Sequence, residues 1–152
     1  MTIRLVRPDD HAAWLQMRRA LWPDCADEMH ALEIELYHRQ PDDVAVFVVD
    51  PGGPTLGGFI EVSVRARVDG ATSDRVGYVE GWYVAPELRG QGVGQRLMAA
   101  AERWTVERGL TELGSDVELD NEGSLRAHEA LGFEETFRLV HFLKRVGPEP
   151  RS

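Results

Sequence analysis

Cysteine is almost missing from this chain. Cys25 is the one thiol in 152 residues, so no disulfide closes within it and no cysteine-based metal spacing exists. It reads as a buried or idle thiol. The five histidines fall at no metal-ligand spacing either. No apolar run approaches the roughly 20 residues of a membrane-spanning helix, and "MTIRLVRPDD" lacks the apolar stretch of a secretory leader. The expectation is a cytoplasmic protein with no membrane partner. Basic charge is scarce: 17 Lys and Arg stand against 26 Asp and Glu, a net charge of −9. That argues against a nucleic-acid partner, which requires a basic face. It suits a small cation, because negative potential near a cleft raises the local cation concentration. Three signatures are absent as well: the Gly-Lys-Ser/Thr of a Walker loop, the G-x-G-x-x-G of a dinucleotide site and the G-x-S-x-G of a nucleophile elbow.

What is present is ordinary globular composition, 43% hydrophobic and 28% charged, expected to make one domain over residues 1–146 with a frayed tail at 147–152. "IRLVR" alternates as a short strand. After Pro8-Asp9-Asp10, "HAAWLQMRRALW" has helical spacing to Leu21. "ADEMHALEIELYHRQ" reads as a second helix, with Met29, Leu32, Leu36 and Tyr37 on its inner face and Pro41-Asp42-Asp43 at its end. "VAVFVVD" is a buried strand. The turn Pro51-Gly52-Gly53-Pro54 leads into "TLGGFIEVSVRARV", expected to bulge at Gly57-Gly58, and "RVGYVEGWYV" completes a meander. Residues 92–109 read as a helix with Val93, Leu97, Ala100, Ala101 and Trp104 on one face and Gly109 as its stop. "TELGSDV" then predicts a strand, "NEGSLRAHEALG" a helix, and "FEETFRLVHFLKRV" one or two closing strands. The order predicts an α/β fold of the α+β type: a mixed, mostly antiparallel sheet with helices on both faces.

"LRGQGVG" raises a question of its own, because three alternating glycines at 90, 92 and 94 cost conformational entropy. Two readings stand: a tight turn, or a loop whose main-chain N–H groups meet a phosphate at the start of a helix. Arg89-x-x-Gly92-x-Gly94 preceded by "WYVAPEL" resembles the coenzyme A pyrophosphate signature of the GNAT acetyltransferase superfamily, and the resemblance in element order covers nearly the whole chain. It implies acetyl-CoA as cosubstrate with no metal. The pyrophosphate would be held by Arg89, Gly90, Gln91, Gly92, Val93 and Gly94. The pantetheine arm would pair with Trp82, Tyr83 and Val84 as an added strand does.

"LDNEGSLRAHEALGF" is similar to the second motif of that family, in which an asparagine lies beside the pantetheine. Asn121 is that asparagine, or a helix cap that satisfies N–H groups. His128 stands where many members have the tyrosine that protonates the departing thiolate; it has either that acid role or a structural one. Within the superfamily, "MRRALWPD", "YVEGWYV" and "GSDVELDN" with "HEALGFEET" resemble the aminoglycoside 6'-N-acetyltransferases, antibiotic-resistance enzymes. The resemblance makes Trp22 a substrate-wall aromatic, Glu80 an active-site acid and Asp116 the carboxylate that takes the amine's proton. It also suggests a homodimer. Each has a plainer reading: Trp22 as core, Glu80 as a solvated strand residue. The resemblance has departures. Arg65 and Arg67 occupy the region of a family aromatic, and Phe137, with Glu135 nearby, replaces an acid expected near the last hairpin. The function expected is acetyl transfer to a primary amine of a cationic small molecule. Alternatives are polyamine or peptide-amine acceptors, and a non-catalytic acyl-CoA-binding or regulatory module on the same fold.

Overall fold

The computed structural model describes residues 1–40 and 42–148. Pro41 and the last four residues of the expected tail lie outside the described residues. By its internal contacts the chain divides into two units, Met1–Asp116 and Val117–Ser152.

The first unit is a five-stranded sheet in the order of the chain. β1 (Thr2–Leu5), β2 (Val44–Asp50), β3 (Gly58–Arg65) and β4 (Val76–Val84) pair antiparallel, and β5 (Leu113–Ser115) joins β4 in parallel. Helices α1 (His11–Leu21) and α2 (Asp27–Arg39) pack on β3 and β2 respectively, and α3 (Val93–Glu107) packs on β2, β3 and β4. The two groups of helices take opposite faces. A Cβ at Gly81 would strike Trp22 at the end of α1, whereas one at Gly77 would strike Thr105 of α3. Positions 77 and 81 would share a face in a regular strand. The register between β3 and β4 slips at Glu61/Val62, so that Glu61 faces Gly81 and Val62 faces Val79. Glu80 is the extra residue of this β-bulge, which reverses the alternation.

The bulge therefore lies at 61/62, not at Gly57-Gly58. Those glycines answer to close packing: a Cβ at Gly58 would come within 2.5 Å of the Tyr83 carbonyl oxygen. The helix α3 carries the predicted stripe, with Val93, Leu97, Ala100, Ala101 and Trp104 all buried, and Gly109 has φ +76° at its stop. Helix α2 forms where expected but turns the other way. Met29, Leu32 and Leu36 are exposed, while His30 and Ile34 are buried and Tyr37 packs partly against the core. The reason is polar. Arg18 is buried and donates to Glu61, to Glu33 and, at 3.2 Å, to His30 Nδ1, and Trp14 Nε1 donates to Glu61 at 2.9 Å. A buried Arg18–Glu61 pair needs every available partner, and His30 supplies one from the inner side of α2.

The second unit contains α4 (Glu122–Ala130). The closing strands expected over "FEETFRLVHFLKRV" are not formed: residues 133–146 carry no secondary structure. Phe137, Leu139, Val140, Phe142, Leu143 and Val146 are exposed. Among the described residues, no helix is long and apolar enough to cross a membrane.

Candidate active site

The bulge sets the site. On the α1/α2 side of the sheet it puts Tyr78, Glu80 and Gly81 of β4 beside Ser63 and Arg65 of β3. Trp22 closes this side where α1 ends. Its indole stacks on His30 with ring centroids 6.3 Å apart, lies 6.3 Å from Phe59, and has the Arg18 guanidinium 4.7 Å from its centroid. Only a glycine at 81 leaves room for it, since a Cβ there would lie 2.5 Å from Trp22 Cη2. Trp22 thus packs against the core, as the plainer of its two readings has it.

Glu80 is held firmly. Arg65 Nε and its terminal nitrogen donate to the two carboxylate oxygens at 2.8 and 2.6 Å, and Ser63 Oγ donates to Oε1 at 2.7 Å. The acid is a partnered carboxylate, as a charge in an otherwise apolar strand must be. Asp116 follows β5 directly and accepts a hydrogen bond from the Tyr78 hydroxyl. Burial, with the adjoining Asp116 carboxylate, pushes that hydroxyl above its ordinary value, so it remains a donor. The guanidinium of Arg65 lies 3.6 Å from the centroid of the Tyr78 ring, linking the two acids. Tyr78 and Ser63 were missed in the sequence. The signal for Tyr78 was its alternation with Glu80, two positions apart on one strand.

Beyond its C-terminal end, β4 leads through a glycine-rich loop into α3. Gly90 and Gly92 have φ of +77° and +78°, where a side chain is strained. Gly92 is the N-cap of α3 and brings no side-chain cap, so the first amides of a 15-residue helix remain available beyond their own helix. Gly94 lies against Trp82, whose Nε1 donates to the Gly94 carbonyl at 3.1 Å. Arg89 Nε donates to the Val84 carbonyl at 2.8 Å, fixing the end of β4 to the loop. The strand β5 pairs with Gly77, Tyr78 and Val79, so among the described residues β4 continues past it from Glu80 to Val84 flanked by β3 alone. A strand that outruns its neighbour and leads into a glycine-rich helix start fits an extended ligand that ends in phosphate.

In the second unit, Asn121 Oδ1 accepts from the Ser124 amide at 3.1 Å and caps α4. His128 Nδ1 lies 2.7 Å from the Ser124 carbonyl oxygen, a bond to the preceding turn of its own helix, and its ring meets Phe133 edge-on at 5.1 Å. Glu135 pairs with Arg138. Cys25 is partly exposed. Among the described residues, no cluster of three or more His, Cys, Asp or Glu side chains suits a metal.

The chain and its fold have known relatives. Residues 11–133 match the family model described as Acetyltransferase (GNAT) family. An aminoglycoside N(6')-acetyltransferase type 1 from Stenotrophomonas maltophilia is 42% identical over 148 residues, covering 97% of this chain and 95% of the relative. One from Klebsiella aerogenes is 43% identical over 145 residues, covering 93% and 95%. Among solved structures, AAC(6')-Iy in complex with a bisubstrate analogue, CoA-S-monomethyl-acetylneamine, superposes with a TM-score of 0.87 at 36% identity, over 95% of this chain and 98% of that one.

Proposed function

The chain belongs to the GNAT acetyltransferase family, and from that footing we propose that it transfers acetyl from acetyl-CoA to a primary amine of a cationic small molecule, in particular the 6'-amine of an aminoglycoside. The observation that carries the reading is the meeting of Glu80, Asp116 and the Trp22 wall at the point where β4 outruns β5. A binding module without chemistry has no need of two carboxylates beside a strand edge open to a thioester.

The chemistry assigns roles. Acetyl-CoA supplies an activated thioester. The amide groups of residues 89–94 hold its pyrophosphate, and the β4 edge from Trp82 to Val84 aligns the arm. Asn121 has an amide to offer the same arm besides its cap bond. An aliphatic amine is protonated near neutrality, with a reference pKa of about 10, and attacks only when neutral. Asp116 accepts that proton, directly or through water, while Tyr78 fixes the orientation of the carboxylate. Main-chain N–H groups at the end of β4 stabilise the developing oxyanion. His128 is the candidate acid for the departing thiolate. No nucleophile on the protein is required.

The reading includes a homodimer and a cytoplasmic location. The first is supported by two exposed apolar sets, Met29, Leu32 and Leu36 on α2 and the residues from Phe137 to Val146. The second is supported by a single unpaired cysteine. The test is release of free thiol from acetyl-CoA in the presence of a panel of aminoglycosides, polyamines and peptide N-termini. Aminoglycoside-dependent release is expected. Coenzyme A binding without release for any amine would instead identify a non-catalytic module.

A further inference from the structure

A guanidinium stands between the two acids of the site. Arg65 ends β3 and makes a two-pronged contact to both oxygens of Glu80, at 2.8 and 2.6 Å, with the Tyr78 ring beneath it. Planar, bidentate pairing is the strongest geometry a carboxylate offers a cation. Ser63 reinforces it from the side. The pair is nevertheless open to an arriving ligand, with the Arg65 side chain 43% exposed and that of Glu80 25% exposed.

An ammonium group approaching Glu80 thus finds both oxygens engaged and a fixed positive charge beside them. Asp116 is less engaged: the hydrogen bond it accepts comes from the neutral hydroxyl of Tyr78, and Arg65 acts on it through its charge while donating both its bonds to Glu80. Two acids of the same type therefore offer a cation very unequal welcomes. We propose that Arg65 is a specificity-determining residue, which occupies Glu80 and confines cation binding to the Asp116 side. The site then takes an acceptor whose reacting amine is flanked by hydroxyl substituents, and discriminates against one with a second ammonium on the same ring. Selectivity of this kind comes from a built-in repulsive element. The proposal rests on the reading of Glu80 and Asp116 as the acceptor site.

The experiment uses two aminoglycosides that share a 6'-amine and differ at one position of that ring, amino in one and hydroxyl in the other. Each is titrated calorimetrically, with coenzyme A present, into the wild-type protein, Arg65→Met and Arg65→Lys. Methionine keeps an apolar stem over Tyr78 without charge, and lysine keeps the charge. The ratio of dissociation constants, amino over hydroxyl, is expected to fall about five- to tenfold in Arg65→Met and to stay within about twofold of wild type in Arg65→Lys. An unchanged ratio in Arg65→Met, an equal shift in both variants, or no binding of either acceptor overturns the role. Acetyl transfer is measured separately on the same pairs. Acceptors that bind with the expected ratios and are not acetylated overturn the functional reading and leave the role of Arg65 standing.

Discussion

The hydroxyl of Tyr78 donates to the carboxylate of Asp116 across the parallel pairing of β4 with β5. An acid fixed in this way has one orientation from which to receive a proton. Replacing Asp116 by Asn is expected to lower turnover about 10²–10⁴-fold with little change in acetyl-CoA affinity. Tyr78→Phe keeps the ring under Arg65 and removes the donor, so a smaller loss, about tenfold, is expected. Steady-state kinetics on both variants and on Glu80→Gln decide it. Near-normal turnover in Asp116→Asn with loss in Glu80→Gln would move the base to Glu80.

Gly81→Ala tests the wall. The new methyl group would lie 2.5 Å from Trp22 Cη2, so the indole must move off His30 and Phe59. The Michaelis constant for the amine is expected to rise about tenfold, and that for acetyl-CoA to stay within about twofold. A parallel rise in both constants would mean that the substitution disturbs β4 as a whole.

The buried network under Trp22 is a matter of stability. Burial pushes the Glu61 carboxyl above its ordinary value, opposed by Arg18. Arg18→Met leaves that carboxyl without its cation and is expected to cost about 3–5 kcal/mol in urea unfolding. The double variant Arg18→Met/Glu61→Leu removes both charges and is expected to recover most of the loss. A double variant no more stable than the single one would refute the pairing as the cause.

Acid stability depends in part on Glu112. Its carboxylate accepts from the Ser73 and Thr72 amides at 2.7 and 3.0 Å, and hydrogen bonds from Ser73 and Thr72 lower it from 4.5 to about 2. A carboxyl depressed by folding contributes stability above its unfolded value and loses it as pH falls through the folded one. The stability difference between wild type and Glu112→Gln is therefore expected to be complete above pH 4.5 and to vanish towards pH 2. A constant difference across that window would show that the contacts do not depend on ionisation.

Helix α3 was legible in the sequence because its buried stripe is apolar from Val93 to Trp104. The same rule misled at α2, where Arg18 and Glu61 draw His30 inward and leave Met29, Leu32 and Leu36 outside. Hydrophobic periodicity registers apolar demand, and a buried ion pair is a polar demand from another element. The glycine loop at 90–94 was legible through its spacing. The bulge at Glu61/Val62 was not, because no residue there requires an unusual backbone, whereas Gly57 and Gly58 carry the usual mark of a bulge for a different reason. The closing strands were expected over "FEETFRLVHFLKRV", but a stretch of this composition becomes a strand only when a neighbouring strand accepts its hydrogen bonds.

One extra residue in β4 decides which side of the sheet Glu80 and Tyr78 serve. This has a genetic corollary. Single-base substitutions across residues 76–84 leave the pleat in phase, so a lineage can vary its acceptor by exchanging side chains one at a time. Loss or gain of a single codon there would instead turn Tyr78 towards Thr105 and send a neighbour into its place. Along this strand, a changed letter is a local matter, as at Gly77 or Gly81, whereas a changed number of letters is felt along its whole length.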